Sequence, residues 1–384
     1  AELCIRDSVR SRSGRPERRS VNHMRDRNLH HSRGTNHRSL ERPCRQWVLG
    51  MTPRNYVVHG AGGIGSVIAA RLASVGRRVQ LVARGPHLQA LQTQGLTVTQ
   101  NTTGTWDLPA EESARQLDID DQTLVLLAMK TDDTFDAIEQ HASLYRELPL
   151  VCCQNGVTNE EWLSSRGYET YGCTVMVGAE ITEPGIVRHS GGKILNIGTW
   201  PTGSNATCEA LVSDLVASGM DASIDEQIID GKWGKLVRNL ANAYLAWTNL
   251  SVQEASCDPV DRRFIADVNE EAADVLEAAA ISARMVGKRT LREQIARLRE
   301  PGRWPPQTSL TEESRSYPST WQDLQSQRGN VEVDHFNGAI VRLGEQHQVA
   351  TPLNRVLRDR CISAAKNRLL PGSETTASLR SATS

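Results

Sequence analysis

The sequence predicts an α/β fold in two parts, with strands and helices alternating first and helices alone beyond. Three observations predict it. A strand-like run at 56–59 enters a glycine-rich turn and then a helix-like run. Apolar runs of strand length recur as far as about residue 198. After about residue 226 strand character disappears, and the remaining residues read as helices broken by a Pro-rich stretch over 301–306.

Each element follows from its residues. The apolar run 56–59 leads into Gly60-Ala61-Gly62-Gly63-Ile64-Gly65. A helix is predicted over 66–75 from the spacing of Val67, Ala70 and Leu72, stopping at Gly76, and a second strand over 79–83. Strand, glycine turn, helix and strand within about 30 residues is the length of one βαβ unit. Gly60 allows a tight turn, Gly62 lets backbone approach a pyrophosphate, and Gly65 lets the helix pack close to the strand. The helix N-terminus then offers N–H groups and a positive dipole end to phosphate. A lone G-x-G-x-x-G also fits an ordinary turn, but the legible strand and helix around it favour a Rossmann-like dinucleotide site.

The second strand ends in Val82-Ala83-Arg84-Gly85. An acidic residue there would bind the ribose 2′-OH of NAD, whereas an Arg suits the 2′-phosphate of NADP(H). A solvated surface Arg is the competing reading. Further strands are expected over 124–128, ending in Met129-Lys130-Thr131, and over 148–153, ending in Gln154-Asn155-Gly156. Such polar endings fall where open α/β sheets bind ligands. Strands are also expected over 171–181 and 185–198, with turns at Glu183-Pro184-Gly185 and Ser190-Gly191-Gly192. The expected layout is a disordered basic extension (1–50), an NADP-binding Rossmann-like domain (51–226), a helical substrate and catalytic domain (227–372) and a disordered tail (373–384).

Composition narrows the class. The formal net charge of −1 hides an asymmetry, because residues 1–50 hold 12 Arg against 5 acidic residues. That segment is rich in Arg, Ser and His but has no apolar core of a secretory signal. A transit peptide or a nucleic-acid arm fits it less well than a disordered extension, or sequence ahead of a start at Met51. No apolar run approaches the roughly 20 residues that span a bilayer. The eight cysteines form no C-x-x-C pair, so they read as reduced thiols of a cytoplasmic protein rather than as a disulfide frame or metal site. Neither nucleic acid nor membrane is expected as a partner. The assembly state, a homodimer being one option, is not legible.

Lysine is scarce, only six against 38 Arg, so a Lys at a cleft position is informative: Lys can give up a proton and Arg cannot. Lys235, Asn239 and Asn242 are spaced i, i+4, i+7, which predicts one helix face able to donate several hydrogen bonds; a solvated polar face has the same spacing. Further on, Ser319-Thr320-Trp321-Gln322-Asp323 precedes Glu332-Val333-Asp334-His335-Phe336-Asn337-Gly338. A carboxylate such as Glu332 could hold a lysine charge, or be one rung of a helical charge pattern.

Together these segments resemble the ketopantoate reductase family, the NADPH-dependent 2-dehydropantoate 2-reductases, from about residue 55 to about 370. The resemblance rests on the glycine loop, Lys130, the Gln-Asn-Gly at Asn155, the Trp233-x-Lys235-Leu236-x-x-Asn239 block, and the Ser319 and Glu332 blocks in that order. It implies that Lys235 donates the proton to a keto oxygen as hydride arrives from the nicotinamide. It implies Glu332 beside the nicotinamide ribose, helping to position Lys235, Asn155 between cofactor and substrate, and Lys130 close to the cofactor. Asn239, with Asn242, would bind the hydroxyl end of a small 2-keto acid, and Ser319 its carboxylate; no metal is implied. Three departures fall in the substrate half: Ala243 where the family commonly has a second Asn, Val331 where a Thr often precedes the Glu, and one extra residue near Gly329. A paralogue reducing another keto acid and an NADPH-binding sensor without catalysis are the competing readings.

Overall fold

The computed structural model describes residues 55–285, 289–302, 304, 310–312 and 315–372. The expected basic extension, Met51 and the tail after residue 372 lie outside the described residues, as does part of the Pro-rich stretch.

The first unit is β1 (Asn55–His59), α1 (Gly63–Ser74) and β2 (Arg78–Val82), followed by α2 (Gly85–Gln94). Helix α1 begins three residues earlier than the apolar spacing predicts, because the glycines themselves form its first turn. It ends at Ser74, one residue before the expected end, and Gly76 turns the chain with φ of 75°. Three short strands that the sequence reading lacks come next, β3 (Leu96–Gln100), β4 (Gly104–Trp106) and β5 (Ala110–Glu111). Then follow β6 (Thr123–Leu127), α3 (Thr131–Gln140), α4 (Ala142–Tyr145), β7 (Leu150–Cys152), α5 (Thr158–Ser165), β8 (Thr170–Glu183) and β9 (Ile186–Thr199). The strand-bearing part closes with α6 (Ala206–Ala217) and β10 (Asp221–Ile224), the latter also absent from the sequence reading.

The strands form one sheet in the order β4-β3-β9-β8-β7-β6-β1-β2-β5, with β10 on β9. From β5 to β8 every neighbouring pair is parallel, so the loops after β1, β2, β6 and β7 share one edge. Strands β8 and β9 are a long antiparallel hairpin that turns at Pro184-Gly185. The turn expected at Ser190-Gly191-Gly192 is instead a bulge within β9, where the register slips opposite Met176 and Gly178. Gly192 tolerates this because its φ is 72° and a Cβ there would lie 2.3 Å from the Met176 carbonyl oxygen.

The central strands are apolar on both faces, as a parallel sheet covered on both sides requires. Val58, Leu81, Leu126 and Val151 pack with Val67, Ile68 and Leu72 of α1. On the other face Val57, Val125, Leu150 and Cys152 pack with Ile138, Tyr145 and Leu163. Cys152, Cys153, Cys173, Cys208 and Cys361 are buried free thiols.

From Ile228 onward the described elements are helical: α7 (Ile228–Asn239), α8 (Ala241–Thr248), α9 (Val252–Cys257), α10 (Pro259–Ala278), α11 (Leu291–Arg299), α12 (Ser319–Gln325), α13 (Asn337–His347) and α14 (Pro352–Lys366). A short 3-10 turn, Glu332–His335, precedes α13. Their core is built around α7, α8 and α10, from Leu236, Val237, Tyr244, Phe264, Val268, Leu276 and Ile340. Among the described residues no helix is long and apolar enough to cross a membrane.

Backbone approaches closely at Gly65, where a Cβ would stand 2.3 Å from the Gly60 carbonyl oxygen and 2.9 Å from Val58 Cγ1. Backbone cannot yield there as a flexible side chain can. Gly65→Ala should therefore destabilise the protein by about 3 kcal/mol, the upper end of ordinary overpacking. Chemical denaturation followed by circular dichroism checks this; an unchanged midpoint would refute the close approach.

Candidate active site

The glycine loop is crowded on three sides and open on one. A Cβ on Gly60 would meet Met129 N at 2.3 Å, and one on Gly63 would meet the Ala179 carbonyl oxygen of β8 at 2.5 Å. Around Gly62 nothing lies within 4 Å of where a Cβ would be. The chain therefore leaves a bare backbone surface at the N-terminus of α1, whose first N–H groups have no partner within the helix. Ala61 is buried, Ile64 half-buried, and the two flank that surface. A pyrophosphate fits such a cradle, and a side chain at Gly62 would fill it.

Arg84 follows β2 and precedes the first residue of α2. Its side chain is 77% exposed and pairs with Asp133 of α3 at 2.9 Å. The guanidinium is thus available at the carboxyl end of β2, where the ribose of a bound dinucleotide lies in this fold.

Three contacts gather at the N-terminus of α3. Lys130 donates to both carboxylate oxygens of Asp323 at 2.6 Å. Glu332 accepts a hydrogen bond from the Thr131 backbone N–H at 3.1 Å. His335 Nε2 lies 2.8 Å from Asp132, and this imidazole holds the Asp132 carboxyl below its usual range. A carboxylate at a helix N-terminus meets the positive dipole end, which explains the placement of Glu332. These contacts tie the sheet edge to α12 and to the turn before α13. Among the described residues Glu332 makes no ion pair with Lys235, so the structure joins Glu332 to the Thr131 backbone rather than to Lys235.

Lys235 lies on α7, half-buried, and donates to the backbone carbonyl of Val175 on β8. Burial, the nearby Lys232 ammonium and Arg238 lower its pKa to about 7, against smaller opposing effects of Cys173 and Cys153. Gly63 touches the same strand at Ala179, four residues from Val175. At the rise of an extended strand that separates the phosphate cradle from the lysine by roughly 13 Å. Lys235 also lines a cavity of about 320 Å³ with Thr174, Met176, Asn196, Asp225 and Arg284, and none of the other expected substrate residues does.

Asn155, Asn239, Asn242 and Ser319 are half-buried. Among the described residues none of these four side chains has a hydrogen-bond partner. Asn155 follows β7 in the loop closed by Gly156, whose φ is 80°. The helix face expected for Lys235, Asn239 and Asn242 runs from α7, ending at Asn239, into α8, beginning at Ala241, across Leu240 alone, whose φ of −59° and ψ of −34° are helical. Asn337, fully buried, donates to the Leu240 carbonyl at 3.3 Å and to Asn354 Oδ1 at 3.0 Å, tying this junction to α13 and α14. Ala243 is buried in the helical core, so Asn242 rather than residue 243 lies at a half-buried position on α8.

Sequence reasoning assigned no role to Lys232, Glu160, Asp323, His335 or Asn337. Lys232 and Glu160 form a fully buried ion pair at 2.6 Å. The scarcity of lysine was a signal for Lys232; Asp323, His335 and Asn337 carried none beyond lying in the quoted blocks, and Glu160 carried none. No group of three or more potential metal ligands occurs among the described residues.

A phosphate cradle on a Rossmann-like sheet, facing an amine that titrates near neutrality, defines a dinucleotide-dependent oxidoreductase. Sequence profiles described as "Ketopantoate reductase PanE/ApbA" and its "C terminal" part match residues 56–202 and 227–361. The chain belongs to the ketopantoate reductase family, whose members act on a keto or secondary alcohol group with NADPH as cofactor. It is 28% identical over 309 residues to a 2-dehydropantoate 2-reductase of Pyrococcus horikoshii, covering 78% of this chain and 93% of that one. It is also 28% identical over 303 residues to that of Archaeoglobus fulgidus, covering 78% and 94%. Among solved structures it resembles a PanE/ApbA family ketopantoate reductase from Ralstonia eutropha JMP134, with TM-score 0.69, 30% identity and coverage of 82% and 99%. D-mandelate dehydrogenase with NADH and anilino(oxo)acetate shares the fold, with TM-score 0.70, 22% identity and coverage of 82% and 99%.

Asn337→Ala would leave Asn354 Oδ1 without its donor. It should cost about 2 kcal/mol of stability, the penalty for an unmet buried polar group. Urea denaturation of the variant checks this, and a loss near zero would show that Asn337 does not tie α13 to α14 and the Leu240 junction.

Proposed function

We propose that this protein reduces 2-dehydropantoate to pantoate with NADPH, and that Lys235 donates the proton. The observation that supports this best is that β8 meets both the phosphate cradle, at Ala179, and Lys235, at Val175. The separation suits the half of a dinucleotide between its pyrophosphate and its nicotinamide. When bound, NADPH supplies a hydride to the carbonyl carbon. The chain's own groups would do the rest. Gly60, Gly62, Gly63 and Gly65, with Ala61 and Ile64, would hold the pyrophosphate. Arg84 would pair with the 2′-phosphate in place of Asp133. Lys130 and Glu332 would border the cofactor at the N-terminus of α3.

The unpartnered amides of Asn155, Asn239 and Asn242 and the Ser319 hydroxyl would bind the keto acid. Reduction converts the carbonyl oxygen to an alkoxide, and the Lys235 ammonium would stabilise it and then surrender one proton to it. A pKa near neutrality suits that task, because the group is protonated for donation and gives up its proton without a large penalty. We place the substrate part in the helical region 227–372 and the cofactor part in 51–226. The reading makes the protein a cytoplasmic enzyme of pantothenate biosynthesis.

A second reading is reduction of another 2-keto acid. It is favoured by Ala243, which is buried and stands where the resemblance implies a second substrate Asn. Spectrophotometric NADPH oxidation with 2-dehydropantoate and a panel of 2-keto acids separates the two. Turnover with 2-dehydropantoate above every other acid is expected; none with it, but turnover with another, would establish the second reading.

Lys235→Ala should lower kcat by about 10² to 10⁴-fold, the range for a general acid, while NADPH still binds. In the wild type, burial and Lys232 disfavour the ammonium, so reduction should slow as pH rises through about 7. Oxidation of the alcohol with NADP⁺ needs the neutral amine and should speed up over the same range. Unchanged turnover in the variant would refute the proton donor.

Arg84→Ala should raise KM for NADPH by about tenfold while KM for NADH hardly moves, a charge-assisted pair being worth that much. Equal losses with both cofactors would refute the 2′-phosphate assignment.

A further inference from the structure

Lys232 stands one turn before Lys235 on α7, and residues i and i+3 are neighbours on a helix face. It is 2% exposed, and its Nζ lies 2.6 Å from Glu160 Oε1 and 2.6 Å from the Gln154 carbonyl oxygen, to which it donates. Glu160 is on α5 and Gln154 directly precedes Asn155. The Gln154 side chain in turn donates to Thr134 Oγ1 of α3 at 3.1 Å. One ammonium thus joins α7 to both ends of the segment 154–160.

We propose that Lys232 and Glu160 are positioning residues for the reaction. Their buried ion pair, closed onto the Gln154 carbonyl, would fix α7 against the end of β7 and so set where Lys235 stands relative to Asn155. The inference rests on the proton-donor role of Lys235 given above and deepens it.

Two physical arguments carry it. The first is mechanical. Lys235 and Asn155 sit on different parts of the fold, and the Lys232 ammonium bonds to the residue before Asn155 from the same helix that carries Lys235. A misplacement of about 1 Å in such a pair costs about 100-fold in rate. The second is electrostatic. An apolar pair would fill this space without desolvating charge, but would leave Lys235 untouched. Burial opposes the Lys232 ammonium, yet Glu160 holds its pKa above the ordinary lysine value, so Lys232 stays charged. That fixed charge disfavours a second ammonium one turn away. The other ionisable groups facing Lys235 are Arg238 on its own helix, Cys173 of β8, Cys153 after β7 and Glu160 on α5. Asp225 and Arg284, which line its cavity, are paired with each other.

The test reads Lys235 directly. With only six lysines in the chain, [13Cε]lysine NMR of the full-length protein resolves individual titrations, and Lys235→Ala assigns the signal. In Lys232→Met the Lys235 midpoint should move up, because a like charge is removed. In Glu160→Gln it should also move up, because the buried Lys232 amine loses the carboxylate that keeps it charged. In both, kcat should fall by about 10- to 100-fold, with KM for NADPH little changed, since the phosphate cradle is untouched. Upward shifts joined to this loss of kcat at unchanged KM would support the proposal. Unmoved midpoints, or downward shifts, would overturn it, as would wild-type kcat in both. Should Lys232→Met fail to fold, Glu160→Gln alone decides by the presence or absence of the upward shift and of the loss of kcat. The titration needs no turnover, so a wild type inactive on every keto acid would refute the proposed function and leave this measurement to decide the pair.

Discussion

The absence of a side chain at Gly65 is the constraint on which the rest of the structure depends. It lets α1 start against the Gly60 carbonyl and Val58, close enough for the helix N-terminus to face the edge where the parallel strands end. The same close approach brings Gly63 against Ala179, so α1 and β8 are locked together. Strand β8 then continues past the end of β7 and carries the carbonyl that Lys235 meets. Phosphate cradle and amine are referred to one another through a single strand, without a loop between them.

Charge is used differently on the two sides of this edge. At the N-terminus of α3 the charges are partly exposed: Glu332 on the Thr131 N–H, Lys130 with Asp323, and His335 with Asp132. Such contacts are individually modest in water. Their effect is geometric, since three of them connect the same helix end to the helical region. Behind α7 the Lys232–Glu160 pair is removed from solvent altogether, where desolvation is costly and breaking the pair is more costly still. A soft clasp on one side and a stiff joint on the other let the region around Asn155 hold unpartnered amides without collapse.

The sheet was legible in the sequence where strands are buried on both faces. The runs at β1, β2, β6 and β7 consist mostly of buried apolar residues, and their ends agree with the expected ones within one or two residues. Strands β3, β4, β5 and β10 were not legible, because they are two to five residues long and carry partly exposed, polar positions. The Ser190-Gly191-Gly192 segment reads as a turn by its composition. Whether two glycines make a turn or a bulge depends on the opposing strand, which is not encoded nearby. The site was legible as residue types: the glycine loop, Arg84, Lys130, Asn155, Lys235, Ser319 and Glu332 all occupy the rim of the sheet or the helices facing it. The partnership expected between Lys235 and Glu332 was not met, because the N-terminus of α3 takes the carboxylate.

By itself the sequence determined what is local. Apolar periodicity and glycine spacing are properties of neighbouring residues, and they decided the βαβ unit, the helix N-terminus and the loss of strands after residue 226. The tertiary structure alone decided that the junction at Leu240 is tied to α13, because Asn337 reaches its carbonyl from almost a hundred residues away. It alone decided that Lys232 rather than Lys235 pairs with a carboxylate, because burial selects the partner and only packing determines burial. A hydrogen bond or an ion pair is made by distance in space, and a spacing pattern along the chain reports that distance only within one element.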